Sequence, residues 1–84
     1  MLLEFNGIYQ SSEMKKSKNN KDYLSVSLKE QITNNNVKIF VFSDNLIKRI
    51  EKLNQNDEVC VVFNRFYDVS KRKEVFYVKD VVVL

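Results

Sequence analysis

Val37, Ile39 and Val41 alternate with Lys38, Phe40 and Phe42 across the segment Val37–Ser43. In a strand, side chains point to opposite faces with a period of two. The spacing therefore predicts a strand with one aliphatic face and one face made of a cation and two rings. A core needs only the aliphatic face. Tyr23–Glu30 alternates as cleanly, with Leu24, Val26 and Leu28 against Tyr23, Ser25, Ser27 and Lys29. That is the pattern of a half-buried strand. Leu2–Tyr9 is the first strand, and Gly7 within it marks a bulge or a sharp bend. Glu58–Tyr67 and Glu74–Leu84 are the fourth and fifth, the last closing on Val81-Val82-Val83-Leu84. Between the third and fourth strands the period changes. Leu46, Ile47, Ile50 and Leu53 fall at i, i+1, i+4 and i+7, with Lys48, Arg49, Glu51 and Lys52 opposite. This is one short amphipathic helix. Ser43 or Asp44 is placed to accept from its first N–H groups, and Asn54–Asp57 ends it.

The remaining segments are polar. Gln10–Asp22 reads as a strand end followed by a mobile loop, and it carries Lys15, Lys16, Lys18 and Lys21. Asn34-Asn35-Asn36 is a turn, since Asn tolerates positive φ. Asp68–Lys73 is a charged hairpin loop holding Lys71, Arg72 and Lys73. The order is three strands, a helix, then two strands, with no repeat and no linker, so residues 1–84 are expected to form one domain. Antiparallel strands in a small chain protect their edges by curling. An all-β, five-stranded, partly open Greek-key barrel with one short helix between strands three and four is the OB-fold. That fold binds ligands on strands two and three and on the loops joining strands one to two and four to five. Those two loops are the lysine-rich ones here.

Composition narrows the chemistry. A chain of 84 residues hides roughly 60–65% of its unfolded surface, so the core is thin. The net charge of +3 mildly favours an anionic partner. With no His, the common zinc sites, His general bases and Ser-His or Cys-His nucleophile pairs are excluded. Cys60 stands alone, so no internal disulfide forms, and it reads as a small, inert packing residue. Gly7 is the one Gly and sits in a strand, which leaves no Gly-rich phosphate loop. The expectation is a protein that is not an enzyme and has no catalytic residue, metal site or cofactor. No apolar run approaches the ~20 residues that span a membrane. Glu4 comes early and no basic segment precedes it, so the start is not a secretory signal. A cytoplasmic protein with no membrane partner is expected. Asn and Lys are abundant while Pro, Trp and His are absent. That bias reads as low-GC coding and a prokaryotic or phage origin.

From Phe5-Asn6-Gly7 to the last strand, the chain resembles the OB-fold single-stranded DNA-binding proteins. Val37-Lys38-Ile39-Phe40-Val41-Phe42-Ser43 is the most specific part of the likeness. Bacterial members carry a third strand of similar pattern, with a cation and an aromatic on the DNA face, followed by a short helix. Asp57–Phe63 resembles the family's fourth strand, which follows a polar turn. By this resemblance Lys38 contacts phosphate and Phe42 stacks a base, with Phe40 between them. Housekeeping bacterial members extend into a disordered tail with an acidic tip, which is not seen here after Leu84. Trp, which the family often uses for stacking, is absent, so Tyr and Phe would have to substitute. The chain looks more like the compact forms of phages, plasmids and integrative conjugative elements, some of which serve a replicative helicase as processivity factors. The resemblance implies single-stranded DNA, a helicase or other replication protein, and further copies of the chain (a homo-oligomer) as partners.

Rings beside cations stack unpaired bases and neutralise their phosphates. The candidate nucleic-acid surface is therefore Lys38, Phe40 and Phe42, with Tyr23 one strand away beside Ser25 and Ser27, whose small size leaves room for a base. Lys15, Lys16, Lys18 and Lys21 join it from one loop. Arg65, Tyr67, Lys71, Arg72 and Lys73 join it from the other, where rings and cations interleave and Arg can also stack. Tyr77, sharing a face with Lys79 opposite Phe76 and Val78, extends it. Tyr9 falls on either face, depending on whether Gly7 bulges. The competing expectation is that Phe40 and Phe42 are core, which Lys38 argues against, since Lys is almost never fully buried. An RNA-binding OB module would use the same face, because nothing in the sequence distinguishes a 2′-hydroxyl. A protein-interaction module would use the rings as an apolar patch.

Overall fold

The computed structural model describes residues 2–84. Its elements are β1 (Leu2–Lys16), β2 (Asp22–Glu30), β3 (Asn36–Val41), α1 (Asp44–Glu51), β4 (Glu58–Asp68) and β5 (Lys73–Val83). The strands form one antiparallel sheet in the order β3-β2-β1-β4-β5, curled as an OB-fold. β1 is the hinge of that curl. Its first part, Leu2–Ile8, pairs with β4, and Gly7–Lys16 pairs with β2. Gly7 belongs to both ladders. A Cβ there would sit 3.3 Å from the Lys29 carbonyl oxygen and 3.5 Å from Leu28 Cβ. Gly7 therefore permits a close approach of backbones rather than a bulge.

The bulge of β1 lies between Tyr9 and Ser11, at Gln10. Tyr9 consequently turns inward, only 8% exposed, and its hydroxyl pairs with Ser12 Oγ at 2.8 Å. β1 also runs to Lys16, so most of the segment read as a strand end followed by a mobile loop is strand. Ser11–Lys16 are mostly polar and exposed, with Met14 the one apolar side chain, yet their backbones pair regularly with Asp22–Ser27. Only the turn at Ser17–Lys21 is loop, closed by Ser17 N–H to Lys21 O and Asn20 N–H to Ser17 O. β3 ends at Val41, so Phe42 and Ser43 form the step into the helix rather than strand. Ser43 caps that helix without a side-chain hydrogen bond, contrary to expectation. Its carbonyl instead receives the Ile47 N–H at 2.9 Å. β4 and β5 each gain a residue at the hairpin, which shortens the expected loop and places Asp68 and Lys73 in the ladder.

The core is aliphatic. Leu24, Val26 and Leu28 of β2 meet Val41 of β3, Val59 and Val61 of β4, and Val81 of β5. Burying each such side chain stabilises by about 1.5–3 kcal/mol. α1 closes one end with Leu46, Ile47 and Ile50. Arg49 on its outer side pairs with Asp80 and donates to the Val81 carbonyl, which tethers the helix to β5. Being exposed, that pair contributes at most about 1 kcal/mol. Among the described residues, no helix is long and apolar enough to cross a membrane.

Candidate nucleic-acid interface

Residues paired across a sheet share a face. The ladders β1–β2 and β2–β3 therefore set out the outer surface in rows. Glu13, Ser25 and Phe40 form one row, and Ser11, Ser27 and Lys38 the next. Lys15 stands beside Tyr23 in the row nearest the β1–β2 turn. The bulge at Gln10 decides this composition. Were Gln10 paired regularly in the ladder, the parity running from Leu3, Phe5 and Gly7 would send Glu13 and Lys15 toward the core.

Three rings gather on this surface. Tyr23 stacks on Phe42 with centroids 5.1 Å apart and meets Phe40 edge-on at 5.8 Å. Lys21 Nζ lies 5.6 Å from the Phe42 centroid, within cation–π range. Phe40 is 51% and Phe42 42% exposed, so neither is core. Phe42 reaches the cluster from beyond the end of β3. Ser25 is only 5% exposed. The small residue is not an open slot beside Tyr23, since the Tyr23–Phe40 contact lies over its face. The rings form a continuous apolar shelf instead.

Three cations stand with the rings: Lys15 and Lys38 in the ladder rows and Lys21 at Phe42. Lys16, paired with Asp22 in the ladder one step beyond Tyr23, falls on the opposite face by alternation, and Lys18 lies in the turn. All five are exposed. Among the described residues, only Arg49 and Arg65 form ion pairs, so these lysines meet no carboxylate. Glu13 is the one acid in the rows named above.

The β4–β5 hairpin carries the rest of the candidate residues. Arg65 is paired with Glu74 across the hairpin, so its charge is already partnered. Tyr67 is exposed and, by alternation, shares the side of Arg65 and Phe63. Tyr77 lies on the other side, stacked on Phe66 at 5.4 Å. Among the described residues, no ring contact joins Tyr77 to the Tyr23–Phe40–Phe42 cluster. Lys71 and Arg72 form the turn and Lys73 begins β5, all exposed. Arg72 adopts φ 53. Asp68 holds this turn by accepting from Ser70 Oγ at 2.7 Å, Ser70 N–H at 3.0 Å and Lys71 N–H at 3.2 Å. The Ser70 hydroxyl above all, then the Lys71 N–H, keep its carboxyl below the usual carboxylate range.

Cys60 lies on the far side, its Sγ 3.7 Å from Glu4 Oε2. Burial first, then the Glu4 charge, push the thiol above its ordinary value, which disfavours the reactive thiolate. Among the described residues, no group of His, Cys, Asp and Glu is placed to hold a metal ion.

Phe5, Phe63 and Phe76 are aromatic residues outside the nucleic-acid surface expected from the sequence. They line a cleft between β3 and β5. Strand length is the signal that could have shown it. β4 and β5 run 11 residues each against 6 in β3, so part of the hairpin's inner face has no strand opposite.

The sequence matches no model of a known protein family and no curated protein. Its fold is similar to the crystal structure of Rim1, a mitochondrial single-stranded DNA-binding protein from S. cerevisiae. The TM-score is 0.78 with 22% identity, over 100% of this chain and 95% of that one. The likeness fixes the OB-fold.

Proposed function

We propose that the chain binds single-stranded DNA with little regard to sequence. The observation that carries this reading is the half-exposed Tyr23–Phe40–Phe42 shelf with unpaired lysines around it. Every base has a π-face, so stacking on such a shelf contributes roughly 1–3 kcal/mol per base with weak specificity. Five or six phosphate contacts from the surrounding lysines would give a log–log salt slope near −4. Affinity would then fall on the order of a hundredfold between ~50 and ~200 mM salt. The similarity of fold to a protein described as binding single-stranded DNA supports the same reading. The finer part of the proposal is service in the replication or transfer of phage or mobile-element DNA, beside a helicase or other replication protein. The Asn- and Lys-rich composition motivates it. One barrel engages a short stretch of about 4–16 nucleotides, so tight coating requires adjoining copies.

Anisotropy titration of labelled single- and double-stranded oligomers at two salt concentrations tests the reading. Preference for the single strand, with the steep salt loss above, is expected. Equal affinity for the duplex would refute it. Tighter binding of an RNA oligomer of the same sequence would move the proposal to RNA.

A further inference from the structure

β3 and β5 are the two ends of the sheet order, and no ladder joins them. A cleft of about 450 Å³ opens along this seam, a volume typical of small-ligand sites. Phe5, Phe63 and Phe76 line it, each meeting the next edge-on at 5.9 and 5.8 Å. Val37 and Ile39 line it from β3. Phe76 is 55% exposed, so its ring stands open at the mouth. Among the lining residues, only Lys38, Lys73 and Glu74 carry polar side chains. Arg65 engages the Glu74 carboxylate, which leaves Lys38 and Lys73 as the free charges over an apolar interior.

We propose that this cleft receives one unpaired base of a bound strand whose neighbouring bases stack on the Tyr23–Phe40–Phe42 shelf. The adjoining phosphates then lie against Lys38 and Lys73. This inference rests on the single-strand reading above. Lys38 and Phe40 belong to both surfaces, so a strand leaving Phe40 enters the cleft without crossing a gap. An apolar peptide would fill the interior but leave both lysines uncompensated. A nucleotide satisfies both features at once, with a flat ring for the aromatic wall and an anion for the rim.

Photo-crosslinking with an oligomer containing 5-iodo-deoxyuridine, followed by mass spectrometry of the linked residue, tests the proposal on the whole chain. Crosslinks at Phe76 or Phe63 are expected beside those on the shelf. Phe76→Ala and the bulk-preserving Phe76→Leu should each weaken binding about tenfold. Both should abolish the cleft crosslink and retain those on the shelf. The thermal midpoint should move little, because Phe76 is half exposed. Crosslinks confined to Tyr23, Phe40 and Phe42, with affinity unchanged in both variants, would overturn the cleft and leave the shelf standing. A change of oligomeric state in sedimentation, with DNA affinity intact, would assign the cleft to a second copy and overturn the proposal. No binding of any oligomer would overturn this inference together with the reading it rests on.

Discussion

The β1–β2 and β4–β5 hairpins both project past the barrel core and both end in cation-bearing turns, yet their side chains are committed differently. In the first, Lys15, Lys16, Lys18 and Lys21 enter no ion pair among the described residues, and the turn is closed by backbone bonds and the Ser17 hydroxyl. In the second, Arg65 is paired with Glu74, Phe66 with Tyr77, and the Asp68 carboxylate ties down the turn. A group already satisfied within its own hairpin gains little from a ligand. An unsatisfied one gains the full contact. Arg65, Phe66, Asp68 and Tyr77 thus brace the second hairpin and leave Lys71, Arg72 and Lys73 as its uncommitted cations.

The comparison is most directly broken through the rings. Replacing Phe40 and Phe42 together by Ala should weaken single-strand binding about a hundredfold or more, at roughly 1–3 kcal/mol per lost stack, with the salt slope unchanged. Replacing Phe66 and Tyr77 together should cost under about tenfold, since among the described residues no ring contact joins that pair to the Tyr23–Phe40–Phe42 shelf. Equal losses in anisotropy titrations would erase the distinction between the β4–β5 hairpin and the shelf that Tyr23 of the β1–β2 hairpin shares with Phe40 and Phe42. Charge gives the next effect. Lys38→Ala should lower affinity several-fold and flatten the salt slope by about 0.7, the loss of one phosphate contact. Arg65→Ala should leave the slope nearly unchanged because Glu74 already neutralises it.

Glu13→Gln should act in the opposite direction. Removing the acid beside Ser25 and Phe40 should raise affinity about two- to threefold at low salt, and the gain should vanish near ~1 M, where charges are screened within about 3 Å. The smallest effect separates the two turns by pH. The Asp68 carboxyl is depressed in the folded chain, so its hold on Ser70 and Lys71 is complete above the ordinary carboxylate value. That hold is lost as pH falls through the depressed one. Amide NMR signals of Ser70 and Lys71 should shift over that acidic range. Those of Asn20 and Lys21, bonded to Ser17 rather than to a carboxylate, should not.

Where ladders are regular, the sequence was a sound guide. Leu24, Val26 and Leu28 pair face to face with Val41, Ile39 and Val37 without a slip, so plain alternation placed Tyr23, Lys38 and Phe40 on the outer surface. β1 and β5 were harder because each carries one extra residue, at Gln10 and at Lys79, and alternation read from either end inverts beyond it. Most of Ser11–Lys16 looked like loop because Met14 is its one apolar side chain, although Ser12 and Met14 pair with the buried Val26 and Leu24. Phe76 was assigned the correct side, yet that side opens onto a seam that only tertiary closure reveals. The stacking of Phe42 on Tyr23 lay beyond any strand-based pattern, since Phe42 is outside β3.

The kink at Gln10 separates shape from chemistry in an unusual way. Removing that one residue would let Tyr9 run directly into Ser11 while every later side chain of β1 kept its partner on β2 and its present side. Lys15 would stay in phase with the rings, and only the bend of the arm beneath it would relax. A one-residue deletion would thus report how much of the molecule's grip lies in curvature alone.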